Sequence, residues 1–374
     1  MELEVFGHWV GSGVGRMERE VEVESKRERE VERERENDKE EIDTDQLDTP
    51  LQDTQGDSSI QTLPTDLECI DLTHRSLSQL PTLQLANCHQ LLLRRNKLST
   101  LPPDLCIPHC WTLDLYDNLL TSIPHCISKA PALQSLDLSF NRIYHISRVQ
   151  LPPTLQLLYA SCNKIDKVDE FASANELKLM EFGGNGLREI PVQWQCSALE
   201  ELWLASNALQ FQKLVLVGCP KLRILALQCN RLQGEIVLQL PSSIEELWLA
   251  NNSISALCVN CSGVDVEDQL QHNSHQLDLS SQLPRLNTLD IASNAFTELP
   301  SWLPRLAPSL TDLDFKWNRI ENLSNLLQTL SLMPNLGTVW MRNNPATATA
   351  SNVSRIYHSA KGDWSSKSVT LQDI

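Results

Sequence analysis

The chain has 374 residues, of which 41% are hydrophobic and 21% charged, and it carries a formal net charge of −17 at pH 7. An acidic surplus of that size argues against nucleic acid and against an anionic membrane surface as partners. The sequence has no apolar run of about 18 residues and no cationic lead followed by an apolar stretch, so it predicts neither a membrane span nor a secretory leader.

Residues 1–50 read as an N-terminal extension and residues 51–66 as a cap that includes Ile60, Leu63 and Pro64. The first 66 residues hold 20 acidic and 8 basic side chains, so most of the net charge lies there. Residues 18–41 alternate Glu with Arg and Lys around only Val21, Val23 and Val31. Such a stretch buries too little to offset its ordering entropy, so disorder is expected, with a solvated helix held by pairs such as Glu22 with Lys26 as the alternative. The glycines at 11, 13 and 15 follow no strand signal and precede no Lys-Ser/Thr, so they match neither phosphate-binding fingerprint.

From residue 67 to 345 the pattern LxxLxLxxN recurs, in twelve units. Its last slot is Asn in eleven of them, from Asn96 to Asn344, and Arg75 stands there in the first. In the unit Leu199–Asn207, a short strand turns Leu202 and Leu204 inward, leaving Glu201, Trp203 and Ala205 outward. A single unit cannot bury its own leucines, so the units must stack into a solenoid with a parallel sheet along one side. The Asn amide is expected to pair with backbone groups of adjacent turns. Prolines at 102, 124, 191 and 300 turn the chain onto the opposite side, where brief helices or turns are expected near Phe171–Glu176 and Asn325–Leu332.

Over about three quarters of the chain, these registered copies closely resemble leucine-rich-repeat proteins. The resemblance implies an α/β solenoid, a horseshoe of about 12 repeats with a concave parallel sheet and short convex helices or turns. The repeat period is similar to that of the intracellular subclasses, including the leucine-rich-repeat regulator of protein phosphatase 1 and the Ras-group and Shoc-type scaffolds. One unit departs from this pattern. Leu232, Gly234 and Ile236 resemble the LxGxI variant of plant-type repeats.

The position between the second and third leucines is expected to face solvent in every unit. Down the stack it reads Asp71, Leu92, Asp114, Asp137, Tyr159, Glu181, Trp203, Ala226, Trp248, Asp290, Asp314 and Trp340, acidic early and aromatic later. Tyr116, Phe140, Lys316 and Trp317 flank this column. The aspartates have a plain reading as strand fillings. The exposed aromatics read instead as anchors for a protein partner. The candidate partner-binding residues are Tyr116, Tyr159, Glu181, Trp203, Trp248, Trp317 and Trp340, with Tyr159, Glu181, Trp203 and Trp248 at the centre. The resemblance points the same way, since relatives hold a phosphatase or a GTPase complex on such slots.

After Asn252 the period is broken by an insertion at about 258–280, expected to leave the stack after Leu257. Cys258, Cys261, His272 and His275 lie in it. Their spacing departs from the usual zinc pattern, so a polar mobile loop is the expectation and a zinc site the alternative. Residues 346–374 read as a C-terminal cap and tail, with a weak helix presenting Val353, Ile356 and Tyr357.

Eleven cysteines suggest disulfides at first, but Cys88 and Cys110 occupy leucine slots and none lies before Cys69 or after Cys261, where extracellular repeats place cysteine-rich caps. Four N-x-S sequons, at Asn251, Asn260, Asn322 and Asn352, do not reverse this. The expectation is a reducing compartment, cytoplasm or nucleus, and free thiols. No nucleophile, base and orienter can be assembled, no phosphate loop is present and no ligase domain follows the repeats. The chain therefore reads as a monomeric, non-catalytic adaptor or regulatory subunit without a cofactor. The alternative is an extracellular or receptor-derived recognition module whose leader is missing, and paired cysteines would favour it.

Overall fold

The computed structural model describes residues 67–80, 85–168, 176–260 and 282–348, and the backbone of 370–371. Residues 1–54 and 55–374 form two units, and all described residues belong to the second. The extension, the N-terminal cap, the helix expected near Val353–Tyr357, and Cys261, His272 and His275 lie outside the described residues.

Thirteen parallel strands form one sheet, in chain order. The twelve repeat units supply three residues each, from Cys69–Asp71 to Thr338–Trp340, and Thr370–Leu371 pairs onto the last of them. Neighbouring strands pair slot for slot, as in Glu181↔Trp203↔Ala226↔Trp248. The inward leucines make one continuous core in which Leu199, Leu202 and Leu204 are fully buried. Three turns place Phe182, Phe296 and Phe315 in that core instead.

The Asn slot holds adjacent turns together. Asn207 Nδ2 donates to Phe182 O of the preceding turn at 2.9 Å and to Leu204 O of its own at 3.1 Å, while its Oδ1 accepts from Leu187 N at 3.0 Å. Asn230 repeats the set with Leu204 O, Leu227 O and Leu209 N. The same trio recurs from Asn96 to Asn344. To aim this amide inward, the residue before it takes a left-handed backbone in all twelve turns, with φ from 52° at Ser293 to 65° at Gly184. Only one of the twelve is glycine, so the ladder over-determines a conformation that other side chains accept at a cost.

On the other side the chain is mostly irregular. Leu323–Ser331 is helical, capped by the Asn322 side chain accepting from Asn325 N at 3.1 Å, close to the helix expected at Asn325–Leu332. A further short helix, Leu303–Leu306, was not legible in the repeat. The LxGxI unit opens a second parallel sheet of Lys213–Val215, Gln233–Gln239 and Ser253–Val259. Its register shifts at Gly234, whose φ of 71° favours glycine. Beside it the backbone closes tightly on Gly218, where a Cβ would sit 2.3 Å from Trp194 O.

This second sheet corrects the expected start of the insertion. The strand runs on through Cys258 and Val259, and Asn260 closes it by accepting from Leu240 N at 2.7 Å. The buried Trp302 indole donates to Leu257 O at 2.7 Å and covers part of the sheet's last strand where the main stack resumes. Backbone pairing with Gln233–Gln239 holds these residues in the stack, which the leucine period alone does not report.

Candidate functional site

The outward face of the long sheet divides into three chemical regions. In the first, and again at Asp290 and Asp314 in the last, the column aspartates serve the backbone. Asp71, Asp114, Asp137, Asp290 and Asp314 each accept the N–H two residues on, at 2.9 to 3.0 Å, which ends the strand in a tight turn. Thr73 bonds from hydroxyl and amide hold the Asp71 carboxyl below its usual range. Arg94 then bridges Asp114 at 3.0 Å and Asp137 at 3.5 Å and lies 4.4 Å over the Tyr116 ring, which packs 4.9 Å from Phe140. Burial, with help from Asp114, pushes the Asp137 carboxyl up despite these bonds.

In the centre, aromatic rings and carboxylates alternate. Tyr159, Glu181 and Trp203 are in register on successive strands and all half-buried. Glu181 Oε1 accepts from Ser161 Oγ at 2.7 Å, and burial followed by Glu181 pushes the Tyr159 hydroxyl up. Trp203 Nε1 donates to Glu201 Oε2 at 3.0 Å, and Trp248 Nε1 to Glu246 Oε2 at 3.1 Å. Each pair is a Glu and a Trp two residues apart on one side of a strand, a spacing that reveals the contact. Burial raises the Glu246 carboxyl, and neighbouring Glu201 raises it further.

In the third region Lys316 Nζ lies 3.2 Å from Asp314 Oδ2, and Trp340 is half-buried in register with Asp314. Trp317 is 58% exposed on a left-handed backbone of φ 57°.

The expectation that the whole column faces solvent is corrected at three positions: Ala226 is 0% exposed, Trp248 4% and Asp314 1%. Ala226 stands in register between Trp203 and Trp248, and the Trp248 indole is tied to Glu246. Tyr116, Tyr159, Glu181, Trp203 and Trp340 remain partly accessible. The sequence reading missed Arg94, whose reach across two turns no repeat position announces.

Nine described cysteines are in no disulfide, five of them buried, while Cys258 is disulfide-bonded. A disulfide sulfur is no thiolate, so Cys258 as found cannot serve as a zinc ligand. Among the described residues no three His, Cys, Asp or Glu side chains are grouped to hold a metal, and no helix is long and apolar enough to cross a membrane.

Stacked strands, Asn ladder and inward leucines together define a leucine-rich-repeat solenoid. Residues 86–143 match the family model described as leucine rich repeat. The chain is 32% identical over 170 residues to the protein phosphatase 1 regulatory inhibitor subunit PPP1R7 homologue of Arabidopsis thaliana, covering 42% of this chain and 51% of that one. It is 40% identical over 95 residues to the protein phosphatase 1 regulatory subunit SDS22 of Saccharomyces cerevisiae, covering 24% and 28%. The chain thus spans about half or less of the length of these relatives. Among solved structures, the leucine-rich effector YopM of Yersinia pestis superposes with a TM-score of 0.57 at 24% identity, over 75% of this chain and 68% of that one, a likeness of fold.

Proposed function

We propose that this chain is a non-catalytic regulatory subunit or adaptor that holds a folded protein partner on the concave sheet, and that the partner belongs to phosphatase signalling. The observation that carries it is the in-register run Tyr159–Glu181–Trp203, a half-buried aromatic and acidic ridge on a rigid sheet. Such rings contribute large contact area at small entropic cost and cluster at the centres of interfaces. Tyr116, Trp340 and Trp317 extend the surface to both sides, and buried Trp248 stands beside it in the same column. The sheet of twelve repeat strands at about 4.8 Å spacing is roughly 55 Å long, enough for a folded partner. The similarity to phosphatase 1 regulatory subunits supports a phosphatase as the first partner to try. The proposed compartment is cytoplasmic or nuclear, and the chain is proposed to act as a monomer.

The test is capture of the protein phosphatase 1 catalytic subunit by the purified chain, compared with Tyr159→Ala combined with Trp203→Ala. Binding lost in the double variant, with an unchanged melting curve, is the expected result. Equal capture by both proteins would remove the ridge from the interface, and no capture by either would remove the phosphatase. The disulfide at Cys258 favours the second reading, an extracellular recognition module. Sequon glycans on protein recovered from cells would decide for it.

A further inference from the structure

The edge of the sheet beside the Asn ladder differs in charge from the face. The residue after each Asn bonds back to the preceding turn, Lys97 N to Leu77 O, Leu119 N to Leu98 O, Arg142 N to Leu120 O and Lys164 N to Ile143 O at 2.8 to 2.9 Å, so Lys97, Arg142 and Lys164 share one column, with Leu119 between the first two. All three are exposed, as is Arg95 in the adjoining left-handed column. Two rings stand among them. Tyr144 is 52% exposed with Lys164 Nζ 3.4 Å from its hydroxyl, and half-exposed Phe140 occupies a left-handed slot with φ 55°. Most turns fill that slot with small or polar residues such as Ser206 and Ser293, and Trp317 is the other ring found there, so a ring in it accepts left-handed strain. Exposed carboxylates on these turns include Asp117, 4.0 Å from Arg95, and Asp166.

We propose that this edge, formed by Arg95, Lys97, Arg142 and Lys164 with the rings of Phe140 and Tyr144, is a second docking surface that takes an acidic, extended segment of a protein partner. Four cations gathered on one edge of a chain of net charge −17 are an electrostatic feature that a carboxylate-bearing segment complements. The rings offer apolar contact between the charges. The column runs along the stack, so an extended segment lying parallel to it meets successive turns. The surface is separate from the Tyr159–Trp203 ridge and does not depend on what that ridge binds.

The test is fluorescence anisotropy of a labelled peptide of Glu-Glu-Leu repeats titrated with the full chain, beside its Gln-Gln-Leu counterpart. The acidic peptide is expected to bind at least about tenfold tighter than the neutral one and to weaken as salt shortens the screening length to about 3 Å at 1 M. Arg142→Glu with Lys164→Glu is expected to weaken it by about tenfold or more, in line with close like charges being repelled. Phe140→Ser, which the left-handed slot tolerates, weakens it several-fold. Arg319→Glu, on a distant turn, and Tyr159→Ala with Trp203→Ala leave it unchanged. The proposal is overturned if both peptides bind alike, if charge reversal changes nothing, or if only the ridge variant loses binding. Cosedimentation with phosphatidylserine vesicles in the absence of peptide binding also overturns it, in favour of a lipid surface.

Discussion

Each strand of the long sheet has two sides, and they obey different rules. The inner side repeats: an apolar residue at every slot, leucine in most and Ala160, Cys88 or Cys110 in a few, and the same three Asn hydrogen bonds at Asn96, Asn230 and Asn344. The outer side varies: carboxylates neutralised by Arg94 in the first turns, indoles bonded to Glu201 and Glu246 in the centre, and Lys316 against a buried Asp314 near the end. Stacking demands sameness, because each turn must fit its neighbours, whereas the outer face is joined only by local side-chain contacts such as Arg94 with Asp114 and Asp137 and is freer to diverge. Stability is therefore carried mainly inside, and the proposed partner surface lies outside.

The sharpest break of this comparison is Leu204→Ala against Trp203→Ala, adjacent residues on opposite sides. The first empties a fully buried slot and should lower stability by about 2 to 5 kcal/mol. The second should shift a urea midpoint little and act on partner capture. Equal midpoint shifts would mean that the outer face is structural too. Gly218→Ala tests the side away from the sheet, where the new methyl meets the Trp194 carbonyl rather than a yielding side chain. A loss of about 1 to 3 kcal/mol is expected, as for other overpacked sites, and an unchanged midpoint would show that the backbone can open there.

Asn230→Ala removes four backbone partners at once, among them Leu204 O and Leu209 N, and should cost on the order of 1 to 3 kcal/mol in the same unfolding measurement. Trp248→Ala probes the exception, an outer-face residue that is buried. It should destabilise clearly more than Trp203→Ala, and a smaller effect would return Trp248 to the exposed set.

The smallest effect is the one with a pH signature. The Glu246 carboxyl is raised by burial, so the folded state holds that proton more tightly than the unfolded chain does. Stability from this group is present at acid pH, falls as pH rises from the ordinary carboxylate value through the raised one, and stays reduced above it. Glu246→Gln keeps an acceptor for Trp248 and removes the charge. It should raise the melting temperature slightly at neutral pH, with the difference vanishing in acid. A constant difference across that range would assign the effect to packing instead.

The Asn slots, inward leucines and order of the twelve repeat strands follow the repeat because a fixed period leaves only one way to stack, whereas the added strand Thr370–Leu371 lies in the segment read as a cap and tail. The helix at Leu323–Ser331 was near its expected place, since Leu326 and Leu330 have helical spacing. The candidate face was legible only as a set of slots. The Glu–Trp pairs are local, two residues apart, and can be read along the strand; Arg94 reaching Asp137 cannot, since 43 residues separate them.

The sequence by itself determined the stack, its register, the buried Asn amides and which residues share the outer column, because all of these follow from periodicity and the alternation of a strand. Only the tertiary structure decided that Trp248 and Asp314 are buried while Trp317 stands clear, that the strand after Asn252 continues through Val259, and that cations gather on the edge beside the Asn ladder. Those depend on side chains from neighbouring turns lying over or beside one another, a distance that no single unit contains.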